Sequence, residues 1–205
     1  MPVEMKLIFA SNNAHKLSEV RRILSPLQVF SLREIGFEDE IAETGTTLED
    51  NSLIKAQAIA EWIKTNCPED WRNVLIFADD TGLEIEALNG APGVYTARWA
   101  GEPACDANNR KKALVELAGK SNRSARFRTV VTLISAYGIR QVAGEIKGKM
   151  ATEEKGNHGF GYDALFIPEG YDNTFAELPA EIKNSISHRA RAMEKLKQLI
   201  TTEYK

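Results

Sequence analysis

The stretch VLIFADDTGLEIEAL, residues 74–88, places two adjacent acids directly after an apolar run. Its first five residues are typical of a buried strand, and Asp79 and Asp80 lead into a predicted turn at Thr81 and Gly82. Because successive side chains of a strand face opposite ways, the two acids are expected to have different tasks. The plainer interpretation is an acidic turn that caps the next segment. The functional interpretation is a Mg²⁺ site, since this ion prefers carboxylate oxygens.

Strand-like and helix-like patterns alternate before this stretch. KLIFAS (6–11) predicts a buried strand, and apolar residues recur at helical spacing over residues 15–24. A second helix is expected to begin near Thr47, which lies three residues before Asp50 in a near capping box. The first half of the chain therefore predicts strand, tight loop, helix, helix and strand.

The second half adds more strands. A helix is predicted around residues 105–118, and β-branched residues and alternation over 125–138 and 140–151 predict paired strands. Residues 187–200 place apolar side chains on one face of a last helix. Together these elements favour an α/β fold with an elongated mixed sheet flanked by helices, in a single domain over residues 1–205.

The composition argues against several classes of protein. The 26 Lys and Arg residues against 29 Asp and Glu give a net charge of −3, which argues against a nucleic-acid partner. No apolar run approaches the roughly 20 residues of a membrane helix, and the start lacks a signal-like pattern, so a cytoplasmic protein without a membrane partner is expected. Cys67 and Cys105 form no CxxC motif, and both are expected to be reduced.

The segment SNNAHK (11–16) connects the first predicted strand to the first predicted helix. Backbone N–H groups at a helix N-terminus carry partial positive charge and bind phosphate, and Lys16 would add a full charge. The spacing is not that of a Walker loop. The alternative is that Asn12 or Asn13 simply caps the helix.

The segment GFGYD (159–163) alternates glycines with aromatic residues. Such glycines allow a flat ligand to approach the backbone, and Phe160 or Tyr162 would offer a ring for stacking. Asp163 would accept hydrogen bonds from ring N–H groups. The alternative is a bulge at a strand end with its aromatic residues in the core.

The segment KNSISHR (183–189) sets positive charge at the start of a helix. Ser187 suits an N-cap, but His188 and Arg189 lie at the unfavourable end of the helix dipole. This local cost indicates a partner rich in acceptors or negative charge. The alternative is an Arg side chain that reaches away from the helix into solvent.

Taken together and in this order, the four segments resemble the inosine triphosphate pyrophosphatase family, also described as Ham1-like or non-canonical purine nucleoside triphosphate pyrophosphatases. The likeness includes AETGTTLEDNSLIKA and TFAELPAEIKNSISHRARAM and extends over nearly the whole chain. It implies a two-lobed α/β fold with the active-site cleft between the lobes. It also implies a Mg²⁺-dependent homodimer that hydrolyses ITP, dITP and XTP to the monophosphate and pyrophosphate.

The resemblance also implies site residues. Asp80 would be the catalytic, proton-accepting carboxylate and a Mg²⁺ ligand, with Glu43 as the second metal ligand. The residues that would bind the purine nucleoside triphosphate are Ser11, Asn12, Asn13, Ala14, His15, Lys16, Lys55, Thr81, Phe160, Gly161, Tyr162, Asp163, Lys183, His188 and Arg189. Of these, the segment from Ser11 to Lys16 matches the triphosphate loop, and the last seven match the base-binding residues.

Three positions depart from the family pattern, and two other functions stay open. Thr81 stands where serine is common and Asp50 where glutamate is common, which keeps the chemistry, while Ala164 stands where proline often follows GYD. A carboxylate-dependent phosphatase of monophosphates would also use paired acids and Mg²⁺, but it would release orthophosphate. A nucleotide-sensing or RNA-binding module would bind without turnover.

Overall fold

A computed structural model describes residues 5–204 of the protein. The strands are β1 (Lys6–Phe9), β2 (Val29–Phe30), β3 (Val74–Ile85), β4 (Pro92–Gly93), β5 (Ser124–Ser135), β6 (Gly138–Met150) and β7 (Phe166–Pro168). The helices are α1 (Ala14–Leu24), α2 (Leu48–Asn66), α3 (Asp106–Glu116), α4 (Ala180–Ile186) and α5 (His188–Glu203). Among the residues described, none of these helices is both long and apolar enough to cross a bilayer.

The starts of α1, α2 and α5 follow from local capping. Thr47 caps α2, because its hydroxyl accepts a hydrogen bond from Asp50 N at 3.1 Å, as the sequence predicts. Ser187 caps α5 in the same way, through a 3.1 Å bond from Ala190 N. Asn13 caps α1 by accepting from Lys16 N at 3.0 Å. These three polar side chains satisfy backbone donors that have no partner inside their helices.

The strands form a mixed sheet, which confirms the predicted fold class. Over residues 5–204 it has seven strands in the order β2-β1-β3-β5-β6-β7, with β4 paired beside β3. β1 is parallel to both β2 and β3, whereas β4 is antiparallel to β3 and β7 to β6. Neighbouring β5 and β6 are separated by two residues, which is the connection of an antiparallel hairpin.

The end of the opening strand was predicted wrongly. The sequence places a turn at Thr81 and Gly82, but β3 continues through both to Ile85. Its far end pairs with β4, with Leu83 opposite Gly93, and buries the side chains of Leu83 and Ile85. Because the acids within β3 have their own partners, they do not need solvent and the strand does not end at them.

The chain divides into two compact units. Unit 1 holds the described residues of the ranges 1–80, 129–144 and 191–205, and unit 2 holds those of 81–128 and 145–190. The core of unit 1 has two parts, one that packs α1 and α5 and one that packs α2. The core of unit 2 packs β3, α3, β5 and the residues around β7. The cleft that the family resemblance implies stays a prediction.

Candidate functional site

Two clusters of side chains contain most of the predicted site residues, one in each unit. The carboxylate cluster lies in unit 1 and comprises Lys16, Glu43, Asn51, Lys55, Asp79 and Asp80. The ring cluster lies in unit 2 and comprises Thr81, Phe160, Asp163, Lys183, His188 and Arg189.

The two adjacent acids of β3 have different partners, as the alternation of a strand predicts. Phe77 packs in the part of the core that holds α1, and Asp79, two residues later, lies 3.0 Å from Lys16 Nζ. Ala78 packs against α2 residues, and Asp80 contacts two α2 side chains, Asn51 and Lys55. The Asp79 side chain therefore lies on the face of β3 that packs against α1, and the Asp80 side chain lies on the face that packs against α2.

Lys55 lies within reach of two carboxylates. Its Nζ is 2.6 Å from Glu43 Oε1 and 3.6 Å from Asp80 Oδ1. Asn51, one helical turn earlier, donates from Nδ2 to Asp80 Oδ2 at 3.3 Å and accepts from Gly45 N at 2.8 Å. The Asp80 carboxylate is thus held from α2 by an amide and an ammonium group.

The charges of the carboxylate cluster shift two pKa values. Burial lowers the pKa of Lys55, but the negative charges of Asp80, Glu43 and Asp79 outweigh burial, so the pKa lies above its ordinary value. Burial raises the pKa of Asp80, and Lys55 and Lys16 oppose this rise without cancelling it. Lys55 is therefore a stable cation, and Asp80 is a stronger base than an exposed aspartate.

The carboxylate cluster offers two carboxylates, Glu43 and Asp80, to a cation. An ammonium group already lies within 4 Å of oxygens from both Glu43 and Asp80, so both oxygens are directed at positive charge. Over residues 5–204, no group of three or more His, Cys, Asp or Glu side chains is arranged to hold a metal. Mg²⁺ commonly takes only one or two protein carboxylates and shares phosphate oxygens with its substrate, so a pair is sufficient.

Only Ser11, Asn12 and Asn13 of the predicted phosphate loop lie outside a helix. Helix α1 begins at Ala14, so His15 and Lys16 belong to its first turn. Asn13 is the cap, as the alternative interpretation states, and its own N–H donates to Ser11 Oγ at 3.2 Å. A capped helix N-terminus keeps its partial positive charge, so capping and phosphate binding are compatible here.

In the ring cluster, Asp163 connects residues 159–163, called the aromatic turn below, to α4. Its Oδ2 accepts from Lys183 Nζ at 2.6 Å and from Phe160 N at 2.9 Å. Lys183 Nζ lies 4.8 Å from the centre of the Phe160 ring, which is a cation–π distance. A Cβ on Gly159 would collide with the same Asp163 oxygen, and φ at this position is +78°, so only glycine fits there.

The two aromatic rings of GFGYD have different places. Tyr162 is buried in the core of unit 2, and its hydroxyl donates to Thr96 O at 3.1 Å. Burial, and then the negative charge of Asp106, raise the pKa of Tyr162. The segment lies in a turn before β7, so the alternative interpretation is right about a core position for Tyr162 and wrong about a bulge at a strand end. Of the two rings offered for stacking, the half-buried Phe160 is the accessible one.

His188 and Arg189 are buried, which excludes an Arg that extends into solvent. Only 2% of Arg189 is exposed, and its Nη2 lies 3.3 Å from Thr81 Oγ1. Its guanidinium carbon lies 5.8 Å from the centre of the Phe160 ring. The ring of His188 stacks on Phe127 with 4.6 Å between centroids. Both side chains at the start of α5 are therefore held inside unit 2.

Asn51 is the residue of the carboxylate cluster to which the sequence assigns no role. It is fully buried in the second turn of α2. A buried amide requires polar partners, and its position four residues before Lys55 indicates a shared face of the helix. The four-residue spacing between Asn51 and Lys55 is the sequence feature from which a role for Asn51 could have been predicted.

The sequence and the structure of the chain are similar to those of known proteins. The model of the Ham1 family matches residues 7–199. A dITP/XTP pyrophosphatase of Porphyromonas gingivalis is 47% identical over 197 residues, which cover 95% of this chain and 97% of that protein. A dITP/XTP pyrophosphatase of Flavobacterium johnsoniae is 44% identical over 199 residues, covering 96% and 98%. The structure of the Staphylococcus aureus Ham1 protein superposes with a TM-score of 0.84 at 34% identity and covers 97% of this chain and 99% of that one.

Proposed function

The chain belongs to the Ham1 family, and from this premise we propose that it hydrolyses ITP, dITP and XTP to the nucleoside monophosphate and pyrophosphate. Removal of these non-canonical purine nucleotides would cleanse the nucleotide pool. The observation that carries the proposal is Asp80, a buried carboxylate of raised pKa that lies beside a buried lysine.

The carboxylate cluster would act on the triphosphate. Water adds to phosphorus, the α–β anhydride bond breaks, and Asp80 accepts the proton that the water loses. Lys16 and Lys55 would offset the negative charge on the phosphate oxygens. Asp79 would position Lys16, because the two side chains form a 3.0 Å ion pair.

We further propose that Asp80 and Glu43 hold a Mg²⁺ ion with the substrate. When bound, the ion would neutralise charge on the phosphate oxygens as the anhydride bond breaks. The homodimer and the cytoplasmic location implied by the family resemblance also stay predictions.

The ring cluster would choose the base. Hypoxanthine and xanthine carry an oxygen at the six-position, where adenine carries an amino group. Lys183, His188 and Arg189 are potential donors, which suit the oxygen and oppose the amino group. A buried mismatch costs on the order of 1–3 kcal/mol per unpaired group, so a few converging donors would reject ATP strongly.

A substrate panel with and without Mg²⁺ tests this function. Purine and pyrimidine triphosphates are supplied at equal concentration, and pyrophosphate and orthophosphate are measured separately. We expect pyrophosphate from ITP, dITP and XTP, Mg²⁺ dependence, and kcat/KM values that exceed the value for ATP by orders of magnitude. Orthophosphate as the main product would instead indicate a phosphatase, and binding without turnover a sensing module.

A further inference from the structure

We propose that helix α3 positions the aromatic turn of the ring cluster, with Asp106 and Arg110 as the positioning residues. Both side chains bind the backbone of Gly161, the residue that follows Phe160. The inference rests on the proposed function, because it assigns α3 a part in binding the purine base. Neither residue belongs to the site that the sequence predicts.

Helix α3 binds both backbone polar groups of Gly161, its N–H and its C=O. Asp106 Oδ2 accepts from Gly161 N at 2.7 Å, and Arg110 Nη1 donates to Gly161 O at 2.9 Å. Asp106 and Arg110 are four residues apart on α3, so they lie on the same face of the helix. Hydrogen bonds with one charged partner are stronger than neutral ones, and this pair fixes Gly161 from two sides.

The turn closes on itself at the neighbouring residue. Phe160 N donates to Asp163 Oδ2 at 2.9 Å, and Phe160 O accepts from Asp163 N at 3.2 Å. The backbone N–H and C=O groups of Phe160 and Gly161 are therefore all bonded within unit 2. A ligand would thus meet the Phe160 ring rather than the Gly161 backbone, and the place of that ring depends on α3.

Helix α3 is itself firmly anchored. Ala113 and Leu117 pack in the core of unit 2. Asn109, 1% exposed, donates to Ala97 O at 2.8 Å and accepts from Ala100 N at 2.7 Å. A helix held by a core and by a buried amide is a rigid support for a binding residue.

Arg110 is oriented by a second contact. Its Nε donates to Glu154 Oε2 at 2.8 Å, while Nη1 reaches Gly161. The planar guanidinium group makes both bonds from one fixed fork. Lysine at this position would keep the charge and lose the fork.

The test compares three variants of the full chain. Asp106→Ala removes the hydrogen bond from Gly161 N. Asp106→Asn keeps an acceptor oxygen on a side chain of the same length. Lys112→Met is the matched control, because Lys112 bonds Trp99 O at 2.7 Å from the same helix without contacting the turn. The readouts are KM and kcat with ITP and hydrogen exchange of the segment 158–166 in the protein without nucleotide.

We expect Asp106→Ala to raise KM about tenfold, the worth of one charge-assisted hydrogen bond, and to change kcat by less than about twofold. Exchange of the segment should accelerate in the same variant. Asp106→Asn should recover part of both values, because a neutral hydrogen bond replaces the charge-assisted one, and Lys112→Met should leave both unchanged.

Three results would overturn the inference. These are wild-type exchange and KM in Asp106→Ala, an equal effect in Lys112→Met, and no recovery in Asp106→Asn. If wild-type protein releases no pyrophosphate from ITP, the proposed function fails instead. The exchange rates would then still decide whether α3 holds the turn.

Discussion

Asp80 is the residue on which the proposed chemistry most directly depends. Asp80→Asn removes the negative charge and nearly keeps the shape. We expect kcat for pyrophosphate release from ITP to fall by roughly 10²-fold or more, the effect of losing a general base. Steady-state kinetics on the purified variant measure this loss.

The stability of the same variant is its control. A carboxyl whose pKa is raised on folding stabilises the native state most below its ordinary value of 3.8, and this contribution is lost as pH rises through the folded pKa. A neutral amide in place of the carboxylate would not carry that cost, so Asp80→Asn without added metal should unfold at or above the wild-type temperature at pH 7. The difference should shrink as pH falls through the folded pKa and should be gone below the ordinary value of 3.8. A clearly less stable variant at pH 7 would show that Asp80 has a structural role.

Lys16 is expected to affect both stability and activity. Its partner Asp79 is fully buried, so Lys16→Ala removes a charged partner from a carboxylate that water does not reach. We expect a loss of about 2 kcal/mol in the free energy of unfolding, together with a severe loss of triphosphate hydrolysis. Urea denaturation measures the first effect.

The double variant Lys16→Ala/Asp79→Asn separates pairing from packing. If the ion pair contributes to stability, the double variant loses less free energy of unfolding than the two single variants lose in sum. Additive costs would contradict a direct interaction between the two side chains.

Among the structural elements, the turn after β2 has a pH-dependent cap. Glu34 Oε2 accepts from Ser31 N and from Ser31 Oγ, both at 2.7 Å, and Ser31 Oγ accepts from Glu34 N at 3.3 Å. The hydrogen bonds from Ser31, with a smaller contribution from Arg21, hold the pKa of Glu34 below its ordinary value. A lowered pKa gives stability that is present above the unfolded value and lost as pH falls through the folded one.

Glu34→Gln should therefore destabilise the protein at pH 7 by less than about 1 kcal/mol, because this side chain is well exposed to solvent. The difference from wild type should disappear in acid, below the folded pKa. Thermal unfolding of both proteins across a pH series measures it. A difference that is constant with pH would mean that the charge of Glu34 contributes nothing.

Local elements were predictable from the sequence because their causes lie within a few residues. The start of α2 follows from Thr47 and Asp50, three positions apart. The end of β3 was not predictable, because it depends on distant partners. Lys16 reaches Asp79 from 63 positions away, and Asn51 reaches Asp80 from 29. The identity of a polar residue in a strand does not show whether such partners exist.

For the molecule as a whole, the two clusters are expected to be separable by kinetics. A change in the carboxylate cluster affects groups that all nucleotides share, so Asp80→Asn should lower kcat/KM for ITP, XTP and ATP by similar factors. Arg189→Lys keeps a positive charge but loses the guanidinium fork, so it should reduce the preference for ITP over ATP as well as overall activity. Ratios of kcat/KM across the three substrates measure the difference.

Two observations would contradict this division. One is an unchanged ratio of ITP to ATP in a folded Arg189→Lys protein. The other is equal use of ATP and ITP by the wild type, which would refute base recognition even if Asp80 and Lys16 behave as proposed. Near-UV circular dichroism of each variant establishes that it is folded.

The alternation of partners along β3 determines which kinds of genetic change this protein tolerates. An inserted residue before Asp79 would exchange the faces of both acids and direct each away from its lysine. A substitution alters one side chain and leaves its neighbours on their faces. Codon-sized insertions and deletions within β3 should therefore abolish function far more often than point mutations at the same positions. Evolution of this strand should therefore proceed by replacement of side chains, with changes in chain length confined to the connecting loops.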